Sequence, residues 1–431
     1  MYHGTTNSTR PADPGLARVD VSDLTDIIEI NTDEMFVVVE PNVPLDKLVT
    51  ATTARGVVPP MIAEFPGITV GGAIQGGSGE SSSHIYGLFS DTCLEYEVVL
   101  GNGDVVTCSP TERPDLFGGL ACAFGSLGAL TLVKLKLVPA ATYVEMTYHP
   151  VRSIDDMTTK ISTLAATRVD FVDGIMYSPE YGVVIEGKYT DTPSSEIVRF
   201  SRWWDEWFYL HVQRAMRGQN RSLHKATPLA DYLFRYDRGA FWVAKYGFGR
   251  VPFNRFTRLL FAGIFKTRTL FKLVHASGYA YVYYTQDICL PVKSVAAFMA
   301  YNDRALAIYP LWICPLQPTV DKLAPTHLDT DLVINVGIWG AAKPATDDFT
   351  IRNRDLERVV QSLGGRKVLY AHTYYTPEEF WSIYDRDWYS RMRERYHATT
   401  VFPDIFAKTK TRPLNFRPSK LRGIRGLIDK N

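Results

Sequence analysis

Residues 64–87, EFPGITVGGAIQGGSGESSSHIYG, set seven glycines and four serines in 24 positions. Backbone without side chains can approach a large planar or phosphorylated ligand closely, and serine hydroxyls beside free N–H groups hydrogen-bond phosphate or the polar edge of a ring system. Ile68, Val70, Ile74 and Ile85 thread apolar anchors through the segment, which a flexible linker lacks. The expectation is a backbone cradle fixed to a core. No G-K-[ST] follows and no G-x-G-x-x-G sits at a strand-to-helix turn, which excludes a P-loop and the dinucleotide fingerprint. A second polar cluster, HGTTNSTR at residues 3–10, offers backbone N–H groups suited to a pyrophosphate, with Arg10 to add charge.

A chain of 431 residues is long enough for two domains, each with its own core. With 47 basic and 46 acidic residues the net charge is +1, so nothing global favours nucleic acid. The five cysteines are odd in number, without C-x-x-C or a nearby histidine at zinc-ligand spacing, so no metal is expected and a reduced intracellular setting is. No run of eighteen apolar residues and no secretory leader is present in the sequence.

Along the first third, strands and helices alternate. FVVVE (36–40) reads as a buried strand, and PLDKLVTATTARG as a helix with Leu45, Leu48, Val49 and Thr52 on one face, stopped by Gly56. LEYEVVLGNGDVVTC (94–108) reads as a hairpin around Gly-Asn-Gly-Asp, and TLVKLKLVP as a half-buried strand ending at Pro139. Beyond about residue 145, Ser153 with Asp156 opens a helix bearing Ile154, Met157, Ile161 and Leu164. Strands return at 280–290 and 332–339, and a helix at 355–363 stops at Gly364. Thr376-Pro377-Glu378-Glu379 is a capping box, and the helix after it is expected to carry Trp381, Tyr384, Trp388 and Met392 as one packing stripe. Residues 200–275 stand apart, with 14 Lys/Arg against 4 Asp/Glu and 18 aromatics. There Phe253, Phe256, Leu260, Phe261 and Phe265 can form an apolar helical face beside Arg255, Arg258 and Lys266, near Trp203, Trp204 and Trp207. Such a region suits the surface of an anionic membrane. The final 24 residues hold eight Lys/Arg and one Asp, a solvated basic tail.

The order HGTTNS, VVVEPNV, FPGITVGG…GESSSHIYGLF, EVVLGNGDVV and DLF…FGSLGALTLVKLKLVPA resembles the FAD domain of the vanillyl-alcohol oxidase (p-cresol methylhydroxylase-type) flavoproteins. Within that superfamily the chain is most similar to the delta-24 sterol reductases, through TQDICLPVK (285–293), YPLWICP (309–315) and VLYAHTYYTPEEFW (368–381) as well. The resemblance implies an α+β, two-domain flavoprotein, with an FAD-binding domain at 1–145, a cap or substrate domain at 146–365, and a C-terminal helical segment at 366–431 returning to the FAD domain. It places a strand–helix–strand ahead of the pyrophosphate loop. This sequence starts at the loop, so the fold is expected to lack that unit.

Carried over residue by residue, Gly4, Thr5, Thr6, Asn7 and Ser8 resemble the pyrophosphate loop. Thr69, Val70, Gly71, Gly72, Ala73, Gly76, Gly77, Ser78, Gly79 and Ser81 resemble the cradle of the isoalloxazine and ribityl, with Ser82, Gly87 and Gly128 as further contacts. Asn7 and Phe65 stand where covalent relatives carry His and Cys, so the FAD should be non-covalent. The resemblance further implies NADPH as a transient electron donor, a sterol or related isoprenoid with an isolated side-chain double bond as substrate, and an endoplasmic-reticulum membrane setting. An isolated alkene has no carbonyl to take electron density, so reduction requires a proton as well as a hydride. Glu80 and Tyr374 lead as donors, followed by His372 and Asp287, while His84 reads as a satisfied loop residue. Two other readings fit this fold: an oxygen-using flavin oxidase of a specialised metabolite, and a non-catalytic lipid-binding remnant.

Overall fold

In the computed structural model, residues 19–247, 252–341, 349–412, 417–419 and 422–423 are described. Gly4, Thr5, Thr6, Asn7 and Ser8, expected as the pyrophosphate loop, lie outside them. The fold is mixed α/β with antiparallel sheets. Strands β1 (Ile27–Asn31), β2 (Phe36–Val39), β4 (Cys93–Val99), β5 (Val105–Cys108) and β6 (Ala129–Lys136) make a five-stranded sheet in the order β1-β2-β6-β4-β5. A two-stranded ladder joins β3 (Val57–Val58) to β7 (Val138–Pro139). The expected helix forms as Leu45–Thr53 and buries Leu45, Leu48, Val49 and Thr52. The expected hairpin forms as β4 and β5, its turn passing through Gly103 at φ 91.

The larger sheet has eight strands: β8 (Tyr143–Val151), β9 (Phe171–Ser178), β10 (Tyr181–Thr190), β11 (Leu223–Pro228), β12 (Tyr284–Pro291), β13 (Leu311–Leu316), β14 (Val333–Gly340) and β15 (Arg366–Lys367). Their order is β11-β8-β10-β9-β13-β14-β12-β15. Side chains alternate between the two faces of a strand, and that parity divides the residues here. Val172, Met176, Ile288, Ile313, Val336 and Ile338 pack with Met157, Ile161 and Leu356 of the covering helices Ile154–Ala166 and Phe349–Ser362. Ile175, Trp312, Cys314, Val333 and Trp339 join the other core, which is continuous with that of the five-stranded sheet. Asp173, Asp287 and Asn335 have the parity of this second face, and all three are buried.

Within the glycine-rich segment, expected as a backbone cradle, Val70–Gly76 is helical. Thr69 caps it by accepting from Gly72 N, and Val70 and Ile74 anchor it in the core, which offsets the helix-breaking tendency of its glycines. Two segments differ from expectation. The stripe from Trp381 to Met392 is divided between helices Pro377–Ile383 and Arg386–Arg395. Tyr384 is extended at ψ 142, and the Asp385 carboxylate accepts from Trp388 N at 2.9 Å to start the second helix. Residues 253–265 do not form one amphipathic helix: Arg255–Leu260 is a short helix, and Phe265 is buried beyond it.

Candidate functional site

The cradle contains a bare helical strip. Gly72 is exposed and Gly76, one turn on, half-buried. A Cβ added at Gly76 would meet nothing within 4 Å, and at Gly72 it would meet the capping Thr69 Oγ1 at 3.0 Å. Positions four apart share a helix face, so one face of this helix is bare backbone. Nearby, Gly125 N donates to Gln75 Oε1 at 2.7 Å, while the buried Gln75 Nε2 has no hydrogen-bond partner among the described residues. An open backbone strip and an unsatisfied buried donor fit the isoalloxazine of FAD. At the other described glycines carried over, a Cβ would meet the protein itself. A Cβ on Gly71 would strike Pro41, on Gly77 Cys122, on Gly79 Leu316, on Gly87 Asp91 and on Gly128 Val98. Val70 and Ala73 bury their side chains in the core.

The segment then crosses to the eight-stranded sheet. Val172 N donates to Ser81 O at 2.8 Å and Gln317 N to Ser83 O at 3.0 Å, pinning residues 80–83 against β9 and the end of β13. His84 has both ring nitrogens against carbonyls, Ser81 O at 3.0 Å and Val169 O at 2.7 Å, and burial holds its pKa below the usual value. It is a structural residue, as its sequence context indicated. Ser82 is buried, and its hydroxyl makes no cap of the following turn.

This attachment places Glu80 in a buried ionic cluster. Arg235 Nη2 donates to Glu80 Oε1 at 2.7 Å and to Asp173 Oδ2 at 3.0 Å, and its side chain is fully buried. Ser81 donates to Glu80 through both its N–H and its hydroxyl. Tyr236 Oη and Trp312 Nε1 donate to Asp173 at 2.7 and 2.9 Å. Burial raises the Glu80 carboxyl pKa, while Arg235 and the Ser81 donors pull it down. Arg235 and Tyr236 are members of the cluster that sequence reasoning missed, and Asp173 is another. Arg235 sits among the many basic residues of 200–275, and nothing local marks it as the buried one.

Beside this cluster, aromatic rings pack around the buried Phe241. Phe241 stacks on Tyr236 with centroids 4.0 Å apart, lies 4.0 Å from Trp339 and 5.4 Å from Trp312, and meets Phe65 at 5.7 Å. Gly337 makes room for it, since a Cβ there would strike the Trp339 ring and approach Asp287 Oδ1 at 3.1 Å. Asp287 accepts from Tyr370 Oη at 2.6 Å and Asn335 Nδ2 at 3.0 Å, and burial pushes its carboxyl up to about 6.

Tyr374 belongs to a different neighbourhood. Its N–H donates to Glu357 Oε1 at 2.9 Å, its carbonyl accepts from Arg354 at 2.7 Å, and its ring faces Phe349 and His372. His372 is buried, its carbonyl accepting from Lys367 Nζ at 2.6 Å. Among the described residues no hydrogen bond or ring contact joins Tyr374 to Glu80, so the structure does not bring the two leading acid candidates together. It links Glu80, through Arg235, Asp173 and Tyr236, to the packed aromatic rings instead, and the sequence stretches 285–293, 309–315 and 368–381 contribute Asp287, Trp312 and Tyr370 to the same region.

The family model described as "FAD binding domain" matches residues 4–109. The chain is 32% identical over 398 residues to the Delta(24)-sterol reductase of Homo sapiens, covering 89% of this chain and 76% of that protein. It is 27% identical over 434 residues to the Delta(24)-sterol reductase of Arabidopsis thaliana, covering 91% and 76%. A shorter likeness, 32% over 123 residues and 28% of this chain, joins it to cytokinin dehydrogenase 8 of Oryza sativa subsp. indica. The chain therefore belongs to the Delta(24)-sterol reductase family and is an FAD-dependent oxidoreductase acting on CH–CH bonds.

Proposed function

We propose that the protein reduces an isolated side-chain double bond of a sterol or related isoprenoid, with electrons that come from NADPH, binding transiently, to a non-covalently held FAD. The observation that carries this reading is the joining of the buried carboxyl cluster around Arg235 to packed aromatic rings through Tyr236 and Trp312, in a chain whose glycine-rich segment also leaves a bare strip at Gly72 and Gly76. Bound along the glycine strip, FAD supplies the hydride.

The chain's own residues do the rest. Protonation of an isolated alkene at its less substituted carbon leaves a tertiary cation, which water would trap. Trp312, Trp339, Phe241 and Phe65 offer apolar walls that exclude water, and their ring faces favour positive charge. The proton comes from the carboxyl cluster containing Glu80, a better acid source than Tyr374, whose phenol is held above its usual value by burial and by Glu357. Phe65, packed on Phe241 and Phe271, stands where covalent relatives place a cysteine and has no chemistry for a flavin bond.

We also infer that the substrate arrives from a bilayer at whose surface the protein sits. Trp203, Trp204, Phe256 and Leu260 are exposed at 59%, 46%, 73% and 66%. The supporting loops touch: Arg238 donates to Asp205 O and Trp203 O at 2.7 and 2.9 Å, and Trp207 meets Phe253 at 5.7 Å. No helix among the described residues is long and apolar enough to cross a membrane.

The deciding experiment is anaerobic. Purified protein with FAD is reduced by NADPH and mixed with a sterol bearing an isolated side-chain double bond. Reoxidation of the flavin with formation of the saturated side chain is expected. A flavin that stays reduced with the sterol unchanged, and reoxidises only once air is admitted, would refute the reading.

A further inference from the structure

Arg393 is buried, and its hydrogen bonds among the described residues go to backbone carbonyls. Nη1 donates to Ser126 O and Pro403 O at 2.6 and 3.3 Å, and Nη2 to Ala398 O, Thr399 O and Phe402 O at 3.0, 3.2 and 2.6 Å. Ala398 to Pro403 lie just beyond the arginine's own helix, Arg386–Arg395. Ser126 is 267 positions away in sequence, in the loop between helix Pro114–Leu120 and strand β6. The helix carrying Arg393 is seated closely on this side of the fold. A Cβ on Gly119 would stand 3.0 Å from Met392 Cε, and one on Gly101 would strike His397 O.

The loop ending at Ser126 docks on the last turn of helix Val70–Gly76. Cys122 N donates to Ile74 O at 3.1 Å, Phe124 N to Gln75 O at 3.4 Å and Gly125 N to Gln75 Oε1 at 2.7 Å. Carbonyls at a helix C-terminus have no partner within the helix, and the loop supplies it. Contact is tight, since a Cβ on Gly77 would stand 2.8 Å from Cys122 Sγ. To reach these positions the loop takes φ 58 at Cys122, 54 at Phe124 and 68 at Gly125. That region is strained for the two residues with side chains, and such a conformation persists only where its surroundings hold it. Arg393 holds its end.

The helix needs that support. Seven residues, with glycine at positions 71, 72 and 76, are too few and too glycine-rich to stay helical unaided. Thr69 fixes the start. The loop fixes the end, where Gly76 lies. We propose that Arg393 is a positioning residue for the cofactor: by locking loop 122–126 onto the last turn it keeps Gly72 and Gly76 aligned as one bare face, so that the C-terminal helix governs how tightly FAD is held. The inference rests on the reading that FAD lies along that face.

The test follows FAD released on dilution of the flavin-loaded full-length chain, read by flavin fluorescence, together with the visible circular dichroism of the bound flavin. Arg393→Lys keeps the charge but reaches fewer carbonyls, and should weaken FAD binding about tenfold and alter the dichroism. Arg393→Met should lose more. Gln75→Met removes the acceptor of Gly125 N from the other side of the loop and should weaken binding to a similar degree. Because both act through one loop, the double variant Gln75→Met/Arg393→Lys should be little weaker than the worse single one, whereas independent effects would multiply to about a hundredfold. Arg395→Ala, two residues on in the same helix and paired at the surface with Asp115, should bind FAD as wild type does. Wild-type affinity and dichroism in Arg393→Lys, or multiplying effects in the double variant, would overturn the proposal. These two variants decide it even if Arg393→Met does not fold. If Gly76→Val keeps its flavin, the seat beneath the proposal fails instead.

Discussion

Among the described residues Arg235 is the one cation paired with Glu80 and Asp173, and its fully buried position makes it costly to remove. Breaking one side of a buried ionic cluster leaves uncompensated charge and costs about 3–5 kcal/mol. Arg235→Met is expected to lose stability of that order in urea unfolding at pH 8. The loss should be smaller at pH 5, where the stranded carboxyls are more readily neutralised, and equal losses at both would show that packing dominates. Asp287 gives the companion case. Its folded-state pKa of about 6 lies above the reference value of 3.8, so the stability tied to its neutral form is complete below the reference value and lost as pH rises through about 6. Asp287→Asn, permanently neutral, should therefore gain on wild type between pH 4 and 7, by at most about 3 kcal/mol. A stability difference that does not change with pH would exclude this titration. These residues were partly legible in the sequence. Glu80 stood inside an obvious glycine-rich segment and Asp287 inside the stretch 285–293, but Asp173 gains its meaning only from strand parity across non-consecutive strands, which no local pattern displays.

Among elements, helix Val70–Gly76 is the proposed seat of the cofactor. Gly76→Val should abolish FAD binding with the fold intact, because the added side chain projects into open space that the backbone leaves for the ligand. Gly77→Ala should act differently: its φ of +69, and the Cys122 sulfur 2.8 Å from where the new Cβ would stand, predict lower stability rather than selective flavin loss. Flavin stoichiometry and thermal unfolding measured on both variants distinguish the two, and full flavin content in Gly76→Val would move the cofactor off this helix. Wild-type flavin should pass into the supernatant on acid precipitation, because Phe65 offers no attachment. The hairpin, the Leu45–Thr53 helix and both side-chain caps at Ser153 and Thr376 could be read from sequence because turn and cap chemistry is local. The break at Tyr384–Asp385 could not, since the stripe from Trp381 to Met392 keeps helical spacing across it. An aspartate able to cap a new helix was the signal present, and the apolar periodicity masked it.

At the scale of the whole molecule, the exposed apolar surface lies where the basic excess lies. A surface of Trp203, Trp204, Phe256 and Leu260 is costly in water, and Arg202, Arg255 and Lys266 are exposed near it. The sequence indicated the region but not the geometry: Phe265 is buried and Phe253 and Phe261 half-buried, so the helix-wide apolar face resolves into a short helix beside a tryptophan-bearing loop. Tryptophan favours the membrane interface, and each basic residue near an anionic surface contributes about 1 kcal/mol. Both terms are needed for reversible attachment, and they respond differently to salt, which screens charge and leaves apolar insertion in place. In sedimentation with phosphatidylserine vesicles, wild type should pellet at low salt and partly dissociate at high salt. Changing Arg255, Arg258 and Lys266 together to Glu should remove the salt-sensitive part. Changing Trp203, Trp204, Phe256 and Leu260 together to Ser should remove the part that survives high salt, while stability changes little because these side chains are already in water. If wild type stays in the supernatant at low salt, or both variants pellet as it does, the surface serves some contact other than a bilayer and the substrate must reach the site from solution.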